Sequence, residues 1–319
     1  MDHDRSCRAV CRTAVAGLYQ TEQEQQAMNE LTDIRAIRSL LERHGFHFSR
    51  SLGQNFLVCA WVPERIAESA GIDETSGVLE IGPGIGCLTA RLSEKAGKVV
   101  AVELDRSLAP VLEETLGERQ NVEILFGDIL KQDLRRLAAE KFPGLRPAVC
   151  ANLPYNITSP VLTELIRADC FEGITVMVQR EVAERICARA GTEEYGAFSL
   201  FVQWHAVPEL LFAVPPDCFL PRPKVTSAVV RLQKRESPPC PVKDEEMLFR
   251  VIRAAFGQRR KTLINALSAG LPNYSKEEIR DCVLACGLDE MIRGEALEIA
   301  DFCYISDKLI DKIHLFKPL

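Results

Sequence analysis

The chain has 319 residues, 47% of them hydrophobic and 26% charged, with a formal net charge of −6. This length exceeds the usual single core, so two domains are expected, and the composition is that of an ordinary globular protein. No apolar run approaches the roughly 20 residues that cross a bilayer, so no membrane partner is expected. The acidic sum argues against a nucleic-acid partner unless a local basic patch exists, because phosphate contacts are made by a patch and not by a total.

Residues 1–30 are polar, Gln-rich over Thr21–Gln26, and show no sustained period, so a disordered or start-site extension is expected, with Met28 as the candidate initiator. The amino end lacks the apolar centre of a signal peptide, and its acids argue against a transit peptide. The 12 cysteines are scattered without Cys-x-x-Cys spacing; Cys7/Cys11 and Cys282/Cys286 have no histidine nearby to complete a zinc pattern. Reduced thiols in a cytoplasmic protein, and no metal site, are the expectation.

Ile34, Ile37, Leu40 and Leu41 follow helical spacing, and Gly45 is a natural stop. From Gly77 strands and helices alternate. Strands are predicted at Val78–Ile81, Lys98–Glu103, Val122–Phe126, Ala148–Ala151 and Ile174–Val178, with helices that include Leu88–Lys95, Ser107–Leu116 and Pro160–Ala168. Such alternation predicts an α/β fold with a doubly wound, mostly parallel sheet. Lys224–Leu232, rich in Val, reads as a late strand, antiparallel at the sheet edge. The prolines of Ser237–Pro241 interrupt helix and strand alike, and beyond them the pattern is helical over Met247–Phe256, Lys261–Ala269, Lys276–Cys286 and Ile305–Leu315. The predicted organisation is an extension (1–30), a catalytic α/β domain (31–236) and a small all-helical domain (237–319).

Val78-Leu-Glu-Ile-Gly-Pro-Gly-Ile-Gly86 couples a strand to a glycine-rich turn and a helix. Glycines let the backbone turn sharply and approach a nucleotide, so the loop alone suits NAD, FAD or S-adenosylmethionine. Two details favour the last. The spacing is Gly-x-Gly-x-Gly, with Cys87 where a dinucleotide loop has its final small residue. Glu80, before Gly82 and Gly84, can hold an amino group but would sit badly beside a pyrophosphate. Glu103 ends the second strand, where a carboxylate can accept two ribose hydroxyls. Asp128 follows the third and suits either an adenine amine or a helix cap.

Asn152-Leu153-Pro154-Tyr155 follows the apolar run Pro147–Ala151, which places it at a strand's carboxyl end, where open α/β sheets bind ligands. An amide, a rigid proline and an aromatic in succession can hold a planar base with an exocyclic amine. The Asn152 side-chain oxygen and the Leu153 backbone oxygen can accept the two amine hydrogens, Pro154 fixes the turn, and Tyr155 stacks on the ring. Positioning and desolvation then carry the rate without a strong base. A flipped base needs a second stacking face, and Phe219, in Phe-Leu-Pro-Arg-Pro-Lys224, is the candidate. Arg222 and Lys224 beside it can contact phosphate. So can Arg259, Arg260 and Lys261, with Arg250 and Arg253 upstream, which form the basic patch that the net charge concealed.

These motifs together resemble the ribosomal small-subunit RNA adenine dimethyltransferases, a family shared with the erythromycin-resistance methyltransferases. The likeness runs from about Leu31 to the carboxyl end. It rests on Ser51–Leu57, Glu80–Gly86, Glu103, Asp128, Asn152–Tyr155, Phe219–Ser227 and Phe256–Thr262. It implies a class I methyltransferase fold, S-adenosylmethionine as methyl donor, and N6,N6-dimethyladenosine at two neighbouring adenosines near the 3′ end of small-subunit rRNA. The implied partner is an immature 30S particle, and a monomer is expected. By the same resemblance Asn55 and Leu57 join Gly82, Glu103, Asp128 and Asn152 in lining the cofactor site. The carboxyl-terminal basic domain favours this branch over the resistance enzymes, which act on large-subunit RNA.

Overall fold

The structure is a computed structural model that describes residues 31–49 and 53–315. The predicted extension 1–30, with Met28, and residues Ser51 and Leu52 of the first motif lie outside the described residues. Helix α1 (Ile34–Arg43) starts where the Asp33 carboxylate accepts the free backbone N–H groups of Arg35 and Ala36 at 2.9 Å. Its apolar side, Ile37, Leu40 and Leu41, is buried.

Next come β1 (Phe56–Leu57), α2 (Trp61–Ser69), β2 (Ser76–Ile81), α3 (Cys87–Ser93), β3 (Lys98–Glu103), α4 (Ala109–Leu116), β4 (Val122–Phe126), α5 (Leu134–Lys141), β5 (Arg146–Asn152), α6 (Thr158–Ala168) and β6 (Gly173–Gln179). The chain continues through α7 (Arg180–Cys187), α8 (Ala197–His205), β7 (Ala206–Val214), β8 (Phe219–Leu220) and β9 (Ser227–Lys234). It ends in α9 (Glu245–Gly257), α10 (Leu263–Gly270), α11 (Lys276–Ala285) and α12 (Ile299–Leu315).

Seven strands form one sheet in the order β4-β3-β2-β5-β6-β9-β7, and the pairs from β4 to β6 are parallel. β1 and β8 form a separate antiparallel ribbon. The five predicted strands are present. β9, however, lies between β6 and β7 and not at the edge; the edge strand is β7, which the sequence pattern does not reveal. Among the described residues no helix is long and apolar enough to cross a membrane.

The chain divides into two compact units. One is the chain up to Gln179 together with Leu211–Val229; the other is Arg180–Leu210 together with the chain from Val230 on. The second unit therefore begins well before the proline-rich segment at Ser237–Pro241. The cause is packing: Ala188, Tyr195, Leu200 and Trp204, from the α7–α8 region, share one apolar cluster with Leu248, Val251, Leu267 and Phe302 of the carboxyl-terminal helices. Prolines break regular elements, but shared buried side chains define a core.

Candidate active site

In a parallel sheet all strands end on the same side, so the strand order fixes which residues become neighbours. Along β4-β3-β2-β5 the carboxyl ends carry, in turn, Asp128, Glu103, Glu80 and Asn152. One cavity is lined by all four, together with Gly82, Gly84, Leu153, Pro154 and Tyr155, and with Asn55 and Leu57 from the start of β1. Leu104, Leu108 and Ile129 add apolar wall. Eleven predicted site residues, far apart in sequence, thus meet in one place.

The glycine turn is shaped by positive φ. Gly82 and Gly84 adopt φ of 69° and 61°, a region that strains any residue with a Cβ. At Gly84 space is also tight, since a Cβ would stand 3.0 Å from the Phe56 ring, which would have to give by a few tenths of an ångström. The Gly84 N–H donates to the Glu103 carboxylate at 3.4 Å, and the Asp105 N–H donates to its other oxygen at 2.8 Å. Burial nevertheless holds the Glu103 carboxyl above its ordinary range.

Glu80 is 1% exposed, and its Oε2 has no hydrogen-bond partner among the described residues. Burial, reinforced by the nearby Glu103 charge, pushes its carboxyl up to about 8. A buried carboxyl oxygen left without a partner is costly, and a cation placed in the cavity would offset that cost. Cys87, which also lines the cavity, has its thiol pushed to about 12 by burial and is no nucleophile at neutral pH.

The Asn152 side-chain N–H donates to the Asn55 backbone oxygen at 3.2 Å, which orients the amide. Its Oδ1 then has no partner among the described residues, and neither does the Leu153 backbone oxygen. The Pro154 oxygen accepts from the Ile157 N–H and the Thr158 hydroxyl, each at 3.2 Å, closing the turn. The Tyr155 phenol lies 2.5 Å from the hydroxyl of Ser227, a fully buried residue, and burial raises the phenol's pKa. Sequence reasoning missed Ser227, whose only signal was a hydroxyl following the Pro-Arg-Pro segment. Asn55 immediately precedes β1, and its own side-chain N–H donates to the Gly53 oxygen at 3.0 Å. Asp128 both caps, accepting from the Leu130 N–H at 3.0 Å, and lines the cavity.

Phe219 is placed otherwise than predicted. It pairs with Leu57 across the β1–β8 ribbon, is 3% exposed, and packs in an apolar cluster with Leu57, Met177 and Phe212, outside the cavity lining. A stacking role would require its ring to leave that cluster. The basic residues also divide. Arg222 is paired with Asp217 at 2.9 Å, both largely exposed, while Lys224 is exposed. Arg259, though exposed, is tied down, donating to Glu295 at 2.8 Å and to the Thr192 and Glu193 backbone oxygens. Arg260 and Lys261 are exposed and have no ion pair among the described residues.

A family model described as ribosomal RNA adenine dimethylase matches residues 45–311. The chain belongs to the ribosomal RNA adenine dimethylase family. It is 41% identical to ribosomal RNA small subunit methyltransferase A of Alkaliphilus oremlandii, over 90% of this chain and the whole of that protein. Among solved structures, a dimethyladenosine transferase from Plasmodium falciparum covers 78% of this chain and 95% of its own, at 26% identity and a TM-score of 0.67. The 23S rRNA methyltransferase ErmE covers 80% of this chain and 99% of its own, at 26% identity and a TM-score of 0.62. As a member of this family the protein is a methyltransferase that takes its methyl group from S-adenosylmethionine, and ribosomal RNA is its substrate.

Proposed function

We propose that the protein dimethylates two adjacent adenosines at N6 near the 3′ end of small-subunit rRNA, within an immature 30S particle. It acts as a monomer in the cytoplasm. The observation that carries this reading is the row Asp128, Glu103, Glu80 and Asn152 around one cavity, with the free acceptors of Asn152 and Leu153 at one end of it.

The cavity fits the methyl donor. S-adenosylmethionine supplies, when bound, a sulfonium methyl group for transfer to a nucleophile. The Glu80 carboxyl, with its unpartnered Oε2, suits its ammonium, Glu103 the ribose hydroxyls, and Asp128 the adenine amine. Gly82 and Gly84 leave room for the backbone to approach, and Asn55 and Leu57 close the wall.

At the acceptor end, Asn152 Oδ1 and the Leu153 oxygen take the two N6 hydrogens of the target adenine. Accepting both draws the nitrogen lone pair out of conjugation and aims it at the cavity. Ser227 holds the Tyr155 phenol, which sets the angle of the ring that stacks on the base. The proton leaves the nitrogen after transfer, so no strong base is needed, and fixed dipoles in a water-poor site carry most of the rate. Phe219 supplies the second stacking face once the base displaces it. Arg222, Lys224, Arg260 and Lys261 serve the phosphates, and Arg259 braces their segment through Glu295 and two backbone oxygens.

The reading is tested by incubating the protein with labelled S-adenosylmethionine and unmodified small or large subunits, followed by nucleoside analysis. N6,N6-dimethyladenosine from the small subunit alone is expected. Label confined to the large subunit would overturn it.

A further inference from the structure

Arg250 and Arg253 stand three residues apart on α9, hence on one helix face. Both line a shallow groove between α9 and α10, floored by Ala254, Ala266 and Gly270 and flanked by Gln258. The helices cross closely because position 270 lacks a side chain: a Cβ there would stand 2.5 Å from that of Ala254. Arg250 is half-buried and Arg253 exposed, and neither has an acidic partner among the described residues. Elsewhere in the same unit Arg180, Arg185, Arg231, Arg259 and Arg280 are each paired with a glutamate, so their charge is already met.

Compensation of the helix dipole does not explain the pair, since neither arginine is in the last turn of α9, where that effect acts. A half-buried guanidinium without a counter-charge invites an anion, and its planar fork matches two oxygens of a phosphate. Two such forks one turn apart, beside the Gln258 amide, can hold a tetrahedral oxyanion. The exposed Arg260 and Lys261 lie a few residues further along the chain and add to the positive potential.

We propose that the Arg250–Arg253 groove is a seat for the phosphodiester backbone of the RNA target, distinct from the acceptor end of the methyl-transfer cavity. It rests on the reading that RNA is bound. It does not depend on which subunit is methylated, because backbone contacts carry no sequence information.

The test uses the full chain carrying R250Q/R253Q, with R250K/R253K to keep charge but remove the fork, and R180Q/R280Q as a charge-matched control. Binding of a small-subunit rRNA fragment is measured over a series of salt concentrations. For R250Q/R253Q the affinity should fall on the order of tenfold or more, and the slope of log K against log salt by about 1 to 2. The lysine variant should keep the slope and lose part of the affinity, and the control should change neither. S-adenosylhomocysteine binding should be the same in all four proteins. Inorganic phosphate, titrated alone, separates a small-anion site. If phosphate binding is lost in R250Q/R253Q while RNA affinity and slope are unchanged, or if no measurement changes, the proposal is overturned. Methylation of small or large subunits by the unaltered protein is read separately, so failure of the subunit assignment is told apart from failure of the groove.

Discussion

Glu80 makes a quantitative link between the cavity and its ligand. Its carboxyl stands at about 8 against an ordinary 4.5, so in the ligand-free protein at pH 7 about nine molecules in ten carry the proton. A bound ammonium would favour the carboxylate and expel that proton. Binding of S-adenosylhomocysteine, which retains the ammonium, should therefore release up to about one proton at pH 7. Calorimetry in two buffers of different ionisation enthalpy measures this directly. Glu80→Gln should release none from this site and bind more weakly.

The same group sets a stability slope in the ligand-free protein. A carboxyl raised on folding stabilises fully below its unfolded value, and that contribution is lost as pH rises through the folded one. The window for Glu80 thus runs from 4.5 to about 8. Across it each pH unit costs about 1.4 kcal/mol, so between about pH 5.5 and about pH 7.5 the natural protein should lose about 3 kcal/mol relative to Glu80→Gln. The buried glutamine adds a constant offset but no slope. Denaturant unfolding of both proteins at the two pH values checks this. Parallel pH dependence, together with no proton release on binding, would refute the assignment of Glu80 as the acid that meets the ammonium.

Asn152→Ala removes the free Oδ1 at the acceptor end and should lower methyl transfer by a factor of order a hundred to a thousand, with RNA affinity almost unchanged; single-turnover kinetics and filter binding separate the two. Gly84→Ala places a Cβ 3.0 Å from Phe56 at φ 61° and should cost about 1–2 kcal/mol in denaturant unfolding, whereas an unchanged midpoint would show that the turn can relax. Arg259→Gln breaks ties to Glu295 and two backbone oxygens, so it should lower the melting temperature and leave the salt slope of RNA binding unchanged, while Arg260→Gln should do the reverse.

The site is legible in the sequence where one strand end is one residue. Buried parallel strands read as continuous apolar runs, such as Val99–Val102 and Val149–Ala151, and the residue that ends such a run must lie at the carboxyl edge of the sheet. The apolar pattern alone therefore places Glu103 and Asn152. The region from Ala197 to Val214 is not legible, for the opposite reason. Ala197–His205 is apolar on nearly every side because its residues enter a core, so no amphipathic period marks the helix, and β7 follows it without a break. Arg259 shows the limit of counting charges: the Arg-Arg-Lys run gives no sign that its first member faces Glu295, 36 residues away.

Phe219 carries the same lesson into mechanism. Its neighbours in the chain make it a proline-braced aromatic beside basic residues, but the ring is held in the cluster of Leu57, Met177 and Phe212 through the β1–β8 pairing. The donor end of the cavity is built from strand ends and a glycine turn that are in place without ligand. The acceptor end has Tyr155, anchored through Ser227, as an aromatic wall. A target adenine would thus meet a prepared set of acceptors and one prepared ring, and would have to draw the second ring out of apolar contact. The cost of that step falls on base binding and leaves the donor pocket untouched. Phe219→Leu, which keeps the core filled, should therefore weaken RNA turnover at unchanged S-adenosylhomocysteine affinity, and a loss in both would mean that the ring serves the donor wall through Leu57 instead.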